Sequence, residues 1–312
     1  MQENIEITQF SNFKTKAFAK YFHKFEWNIE KLKEVINFAK NNNFKILPIS
    51  GWTNMLFAFD VFEGLVIKLE KYENIDNNYN FQDYKWIRWN IINTKFSYKN
   101  WILEVSAFEN ISDVAEILYR ENLNKKWMRF IWLPWKIAGA VVGNAGCFGL
   151  ETENHFLKAE VLNLETLEIE ILDKEKMQFS YRNSIIKKTW NYIVLKVWFD
   201  LNLQNEKYSY NWTLDDVIYF RTQKQPSWNT CWSFFKNPSK DFPAWKLIEE
   251  VGLKWYKLWW AFFSEKHANF LMSDGTATWQ DLINLKKLAQ KKVKEKFDID
   301  LESEVRIIKN YQ

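Results

Sequence analysis

IWLPWKIAGAVVGNAGCFG, residues 131–149, is the stretch on which the fold turns. Its second half is built almost entirely from small residues, Ala138-Gly139-Ala140 and then Gly143-Asn144-Ala145-Gly146. Such a run is needed where backbone must pass close to a flat ligand and offer N–H groups to it. A small-residue packing segment is the bland alternative, but it does not explain the Asn144-Ala145-Gly146 punctuation. Trp132 and Trp135 contradict the logic of the loop. With glycine at both, the stretch reads IGLPGKIAGAVVGNAGCFG and is consistent throughout.

The same conflict recurs along the chain. There are 18 tryptophans and 8 glycines in 312 residues, where average usage of about 7% would give roughly 22 glycines. Reading every tryptophan as glycine would give 26. SGWTNML at 50–56 becomes SGGTNML, a glycine turn after a strand that can cradle a pyrophosphate through backbone amides. KQPSWNTCWSFFKNP at 224–238 becomes KQPSGNTCGSFFKNP, and 252–270 becomes GLKGYKLGGAFFSEKHANF.

Composition bounds the rest. A chain of 312 residues buries a substantial core and suggests two or three domains. The N-terminal MQENIEITQFSNFK has no apolar run that reads as a secretory leader. The segment from Ile137 to Leu150 is too short for a membrane span. Two cysteines, Cys147 and Cys231, and three histidines show neither a disulfide framework nor a metal pattern. A cytoplasmic protein without a membrane segment is expected. A net charge of +4 is too small to argue for nucleic acid.

Periodicity predicts a helix over 28–43, strands at FKILPI and 65–70, a strand at 102–108, and a helix over 111–123 capped by Ser112 or Asp113. A hairpin is expected over 158–172 and a strand pair at 191–201 and 215–221. A helix over 281–297 and a closing strand SEVRII follow. Short strands interspersed with helices indicate an α+β chain.

Taken in order, these motifs resemble the UDP-N-acetylenolpyruvoylglucosamine reductase family. That family carries a G-x-G-S-N turn, an IPGTVGGA…NAGAYG loop, a YR-x-S pair, a GSFFKNP block, a GLKG…GGA…SEKHANF block and a closing EPEVR strand. The resemblance runs from about residue 45 onward and fits the shorter-chain subtype. It implies a FAD-binding fold of the vanillyl-alcohol-oxidase/p-cresol-methylhydroxylase type with a separate α+β substrate-binding domain. The implied division is 1–95 with the strand in 301–312, then 96–205, both for FAD, and 206–300 for substrate. The implied reaction uses NADPH as co-substrate and FAD to reduce UDP-N-acetylglucosamine-enolpyruvate to UDP-N-acetylmuramate, for peptidoglycan precursor synthesis. Another FAD-dependent oxidoreductase of the same fold, a sugar or alcohol oxidase, is the alternative. A monomer is expected.

Residue by residue, the resemblance makes Ser233 the proton donor, Arg182 the group that stabilises the developing enolate, and Glu304 the completing carboxylate. Glu302 is the rival to Glu304, and Ser303 stands where the motif has proline. Tyr181, Lys224, Asn237 and His267 match substrate-binding positions. Ser50, Gly51, Trp52, Thr53 and Asn54 should hold the FAD pyrophosphate. Pro134, Ala140, Asn144 and Gly146 belong to the loop expected at the isoalloxazine and ribityl chain, with Cys147 a space-filler. Ser50 and Ala138 depart from the family's glycines by small steps.

Trp52, Trp132, Trp135, Trp232, Trp255, Trp259 and Trp260 all fall on glycine positions of these motifs, and Trp127 and Trp245 are expected there too. The pattern is that of a gene whose UGA codons are decoded as glycine. Nine genuine indoles at such sites would cost about 1–3 kcal/mol each by overpacking, against a total stability of about 5–15 kcal/mol. Stacking platforms for sugars or single-stranded nucleic acid are the other reading. They give no reason for tryptophan to track one family's glycines.

Overall fold

The computed structural model describes residues 1–26, 28–51, 54–70, 95–97, 101–202, 212–226 and 228–310. In chain order it contains β1 (Gln2–Glu6), β2 (Phe18–Phe25), α1 (Ile29–Asn41), β3 (Ile46–Ile49), β4 (Met55–Phe57), β5 (Val61–Leu69), β6 (Lys95–Ser97), β7 (Ile102–Ser106), α2 (Ile111–Arg120) and α3 (Ile137–Val142). Next come β8 (Gly146–Cys147), β9 (Leu150–Glu151), β10 (Phe156–Asn163), β11 (Ile169–Asp173), α4 (Lys174–Met177), α5 (Ile185–Thr189) and β12 (Tyr192–Asp200). The chain closes with α6 (Leu214–Lys224), β13 (Thr230–Ser233), α7 (Ala244–Glu250), β14 (Lys257–Leu258), β15 (Ala261–Phe263), β16 (Phe270–Ser273), α8 (Trp279–Phe297) and β17 (Arg306–Ile308).

Two compact units result. One gathers Met1–Lys24, Asn37–Lys68 and Ile218–Gln312; the other gathers Phe25–Ile36 and Leu69–Val217. In the first, β1-β2-β5-β3 form a sheet whose β3 and β5 run parallel, Ile49 opposite Lys68. β17 lies parallel to β4, with Arg306 opposite Met55. A second sheet, β13-β16-β15-β14, is antiparallel. Helix α8 buries Leu282, Leu285, Ala289 and Val293, one stripe at three- and four-residue spacing, in a core with Phe13, Leu56, Phe234, Phe235 and Phe263. Each fully buried side chain of this size contributes about 1.5–3 kcal/mol. A reciprocal capping box between Thr278 and Asp281 starts the helix.

The other unit is built on the antiparallel sheet β11-β10-β12-β7-β6, with β8 and β9 forming a short hairpin. The expected hairpin over 158–172 is β10 with β11, Val161 opposite Glu170. Two sequence expectations are corrected. Residues 215–221 are not a strand but lie in α6. The Thr213 hydroxyl accepts from the Asp216 amide at 3.2 Å while the Asp216 carboxylate accepts from the Thr213 amide at 2.8 Å, a capping box that outweighs the β-branched and aromatic residues after it. The N-cap of α2 is Asn110, and Ser112 Oγ instead accepts from the Trp132 amide at 2.7 Å.

The backbone also sorts the tryptophans. Trp101 (φ 54°), Trp132 (66°), Trp190 (63°), Trp232 (68°), Trp255 (63°) and Trp259 (51°) all lie in the left-handed region. A side chain with a Cβ enters that region at a cost of about 1–2 kcal/mol; glycine enters it without that penalty. Trp190 ends α5, its N–H bonding to the Ile186 carbonyl, the place where helices commonly end on glycine. Trp132, Trp255 and Trp259 are also more than half exposed, at 51%, 64% and 59%. Others behave as indoles. Trp127 is 1% exposed, packs edge-on to Phe130 and Phe199, and donates Nε1–H to His155 Nδ1 at 3.2 Å. Trp198 donates to Glu104 at 3.0 Å and Trp279 to Asp60 at 3.1 Å. Trp127, expected at a glycine position, is thus packed as a tryptophan.

Candidate active site

Ser233 closes β13, opposite Phe270 of β16, and the register shifts between Thr230 and Ser233. That irregularity contains the left-handed Trp232, which is the conformation a glycine β-bulge uses to re-aim the next side chain. The residues that follow are clamped. Phe234 N–H donates to the Asn269 carbonyl at 2.7 Å, and the Asn269 amide side chain both accepts from Phe235 N–H at 2.9 Å and donates to its carbonyl at 2.8 Å. Asn269 is 2% exposed, so these bonds are shielded from water. The SEKHANF block thereby fixes the backbone of the SFFKNP block.

The same strand end receives the closing segment. Glu304 N–H donates to the Phe234 carbonyl at 2.8 Å, and Phe235 and Ser303 form a β-bridge. Asn54 Nδ2 donates to the Glu304 carbonyl at 3.4 Å while the Asn54 carbonyl accepts from Arg306 N–H at 3.1 Å. Ser233, Asn54 and Glu304 are therefore brought together through backbone. Glu302, the rival carboxylate, is held outward by Lys236 Nζ at 2.5 Å with 71% of its side chain exposed. The turn at Ser50 and Gly51 follows β3, and Lys68 Nζ donates to the Ser50 carbonyl at 2.8 Å. Trp52 and Thr53 lie outside the described residues.

In the other unit Arg182 holds a left-handed backbone, φ 56°, an uncommon state for a side chain of its size and one that gathers at functional sites. Its Nη2 donates to the Gly146 carbonyl at 2.7 Å, its Nη1 lies 3.8 Å from Glu151, and its guanidinium stacks 4.9 Å from the Tyr181 ring. A Cβ on Gly146 would meet Glu151 Cγ at 2.7 Å, Arg182 Nη1 at 3.0 Å and the Leu150 carbonyl at 3.1 Å, so a side chain there would displace Glu151 and crowd the arginine. Asn144 is fully buried; it donates to Glu153 and to the Ser180 carbonyl, both at 3.1 Å, and accepts from the Glu153 amide. It ties the 143–146 loop to the Tyr181-Arg182 turn. Ala140 is buried and its carbonyl accepts from Ala145 N–H, while Pro134 is exposed.

The remaining expected residues are spread over the first unit. Lys224 ends α6 and is exposed. Asn237 is exposed, and its Oδ1 accepts from Ala244 N–H at 3.0 Å at the start of α7. His267 Nδ1 accepts from Asn269 N–H at 3.3 Å with its ring edge-on to Phe270, and burial pushes the imidazole down to about 4. It is a neutral acceptor near pH 7, shaping the Asn269 clamp. A cleft of about 440 Å³ is lined by Pro226, Trp228, Trp255, Lys257, Ser264 and Lys266. Burial drives the Cys231 thiol up to about 12, the opposite of an activated nucleophile, and Cys147 donates to the Arg129 carbonyl at 2.9 Å.

Sequence reading passed over Asn269, Glu151 and Lys68. Asn269 lies inside a motif already quoted but carries no chemistry of its own. Lys68 leaves a visible trace, a lysine inside the apolar run Leu65-Val66-Ile67-Lys68-Leu69. The residues present fit a flavin dinucleotide. The first unit offers a glycine turn backed by a lysine ammonium. In the other unit a Cβ on Gly139 would meet nothing within 4 Å, leaving open space beside small-residue backbone. Among the described residues no helix is long and apolar enough to cross a membrane.

Comparison with known proteins agrees with this. A family model described as UDP-N-acetylenolpyruvoylglucosamine reductase, C-terminal domain, matches residues 224–308, and one described as FAD binding domain matches 27–166. The UDP-N-acetylenolpyruvoylglucosamine reductase of Caldanaerobacter subterraneus subsp. tengcongensis is 32% identical over 282 residues, covering 89% of this chain and 84% of that protein. The one from Lactobacillus gasseri is 30% identical over 310 residues, 99% of this chain and 94% of that protein. The crystal structure of UDP-N-acetylenolpyruvylglucosamine reductase from Thermus caldophilus superposes with a TM-score of 0.69 at 19% identity, covering 98% of each chain, a likeness of fold.

Proposed function

The chain belongs to the UDP-N-acetylenolpyruvoylglucosamine reductase family, and from that premise we propose that it reduces UDP-N-acetylglucosamine-enolpyruvate to UDP-N-acetylmuramate with NADPH. FAD, when bound, supplies the hydride relay between NADPH and substrate. Ser233 donates the proton that completes the reduction, at the carbon beside the carboxylate. Arg182 stabilises the enolate that precedes this protonation, and Glu304 completes the polar network that makes a serine hydroxyl a competent acid. Tyr181, Lys224, Asn237 and His267 bind or shape the nucleotide-sugar part of the site, Lys224 as a point charge on phosphate. Ser50 to Asn54 and Pro134, Ala140, Asn144 and Gly146 form the flavin-holding backbone. Segments 1–95 with 301–312, and 96–205, are read as FAD-binding and 206–300 as substrate-binding. The FAD domain match at 27–166 and the reductase match at 224–308 support that division. The enzyme is read as a cytoplasmic monomer serving peptidoglycan synthesis, and through it cell shape and division. The named relatives are reductases and do not favour the oxidase alternative.

The observation that carries the reading is Ser233 on its left-handed bulge, clamped by Asn269 and adjoining the Glu304 backbone. Ser233→Ala should leave NADPH reduction of the flavin intact and lower substrate-dependent reoxidation by about 10²–10⁴-fold. Stopped-flow absorbance of the two half-reactions separates them, and reoxidation at the parent rate would remove Ser233 from its role.

The working protein is further read as carrying glycine at Trp52, Trp101, Trp132, Trp135, Trp190, Trp232, Trp245, Trp255, Trp259 and Trp260, by decoding of UGA as glycine. The left-handed backbone at six of the described positions supports this independently of any motif, and adds Trp101 and Trp190 to the motif set. Peptide mass spectrometry of protein from its own cells tests it, and indole masses at these positions would end the idea.

A further inference from the structure

We propose that Lys68 is a positioning residue for the diphosphate of a bound dinucleotide, acting through the Ser50–Gly51 peptide. The inference rests on the FAD reading above and extends it to a residue that no motif marks. Lys68 is 3% exposed, a rare situation for an ammonium group, which loses much hydration on burial. Its Nζ donates to the Ser50 carbonyl at 2.8 Å and lies 5.1 Å from the centroid of the Phe10 ring, so a carbonyl dipole and a π-face stabilise it where it stands.

Its place in the sheet gives this a direction. β3 and β5 are parallel and Lys68 faces Ile49, so Ser50 is the first residue beyond the carboxyl end of β3. Ligands of parallel strands bind beyond those ends. A trans peptide is planar, with its carbonyl and the following N–H on opposite sides. Holding the Ser50 carbonyl toward Lys68 therefore turns the Gly51 N–H away from the lysine. Gly51 has no Cβ to keep an anionic oxygen at a distance. The ammonium polarises the peptide between them and makes that N–H a stronger donor. Lys68 thus presents one oriented, strengthened amide to a phosphate without touching the phosphate.

Flavin titration followed by fluorescence, on the full chain carrying glycine at the positions assigned above, tests this. FAD is compared with riboflavin, which has the same ring and no diphosphate. Lys68→Met should weaken FAD about 10–100-fold, as expected for loss of a charge-assisted hydrogen-bond network, and change riboflavin by less than about threefold. Lys68→Arg should keep FAD affinity within about threefold, and Lys68→Gln, which keeps a donor without the charge, should fall between them. FAD binding by Lys68→Met at the parent affinity overturns the inference. So does a parallel loss of FAD and riboflavin, which would mark a purely structural lysine. Should Lys68→Met fail to fold by circular dichroism, Lys68→Gln decides on the same two ligands: selective weakening of FAD supports the inference and unchanged or parallel binding overturns it. If the parent chain binds no FAD, the cofactor reading itself fails, an outcome distinct from a parent that binds and a variant that binds equally.

Discussion

Replacing Trp101, Trp132, Trp190, Trp232, Trp255 and Trp259 with glycine, all together, should stabilise the protein. Exchanging a large apolar side chain for glycine ordinarily does the reverse. The expectation follows from the backbone, since all six sit at φ between 51° and 68°. Relief of the left-handed penalty is worth about 1–2 kcal/mol per residue. Glycine's extra freedom in the unfolded chain returns about 0.4–1 kcal/mol of that. The net is about 0.8 kcal/mol per site, or about 5 kcal/mol over the six, which corresponds to a rise in Tm of roughly 10 °C for a chain of this length. Trp127→Gly is the internal control. That indole is buried and donates to His155, so its removal should cost about 3–5 kcal/mol. Thermal melts of the three chains, followed by circular dichroism at one pH, give the comparison. A sixfold variant that melts at or below the parent would refute the backbone argument. So would a Trp127→Gly chain that melts higher.

Two further outcomes are expected. Glu304→Gln should lower turnover by about 10²–10⁴-fold without impairing flavin reduction, while Glu302→Gln, which breaks an exposed ion pair with Lys236, should stay within about threefold; equal losses in steady-state assays would reverse the choice between them. His267 makes stability depend on pH. In the unfolded chain it takes up its proton near 6.5 and in the native chain only near 4, so as pH falls through that window the unfolded state binds the proton first and stability is lost. The loss should reach about 3 kcal/mol between pH 7.5 and 4. Urea midpoints of the parent and of His267→Gln across that range would show it, and an identical slope in the two proteins would refute the assignment.

Much of this architecture is readable before any coordinates are known. The 3.6-residue spacing of Ile29, Leu32, Val35, Ile36 and Ala39 foretells α1, and alternation over 158–172 foretells β10 and β11, because burial on one face writes itself directly into the sequence. Residues 215–221 mislead because Val217, Ile218, Tyr219 and Phe220 favour strands on propensity, while the deciding signal lies upstream in the hydrogen bonds between Thr213 and Asp216. The site divides in the same way. Glycine-rich punctuation advertises the cofactor loop, and the Tyr181-Arg182 pair is conspicuous. The Asn269 clamp and the Lys68 bond are not written there because both act on backbone groups, which carry no sequence identity; a lysine inside an apolar strand is the one trace that Lys68 leaves. The resemblance already favours Glu304 over Glu302, and what the sequence does not show is that Glu302 is paired with Lys236 at the surface while the Glu304 backbone bonds to Phe234 and Asn54.

The pairing of β17 with β4 has a consequence for how such a molecule is made. The hydrogen bond from Asn54 to the Glu304 carbonyl spans 250 residues of chain. A ribosome adding about 5–20 residues per second therefore leaves one edge of β4 without its parallel neighbour for roughly 12–50 s. Throughout that interval the Ser50 turn is present but the strand that secures its far side has not been synthesised. Until then β4 can hold no register with β17, so this parallel pair is closed only after nearly all of the intervening chain has been made.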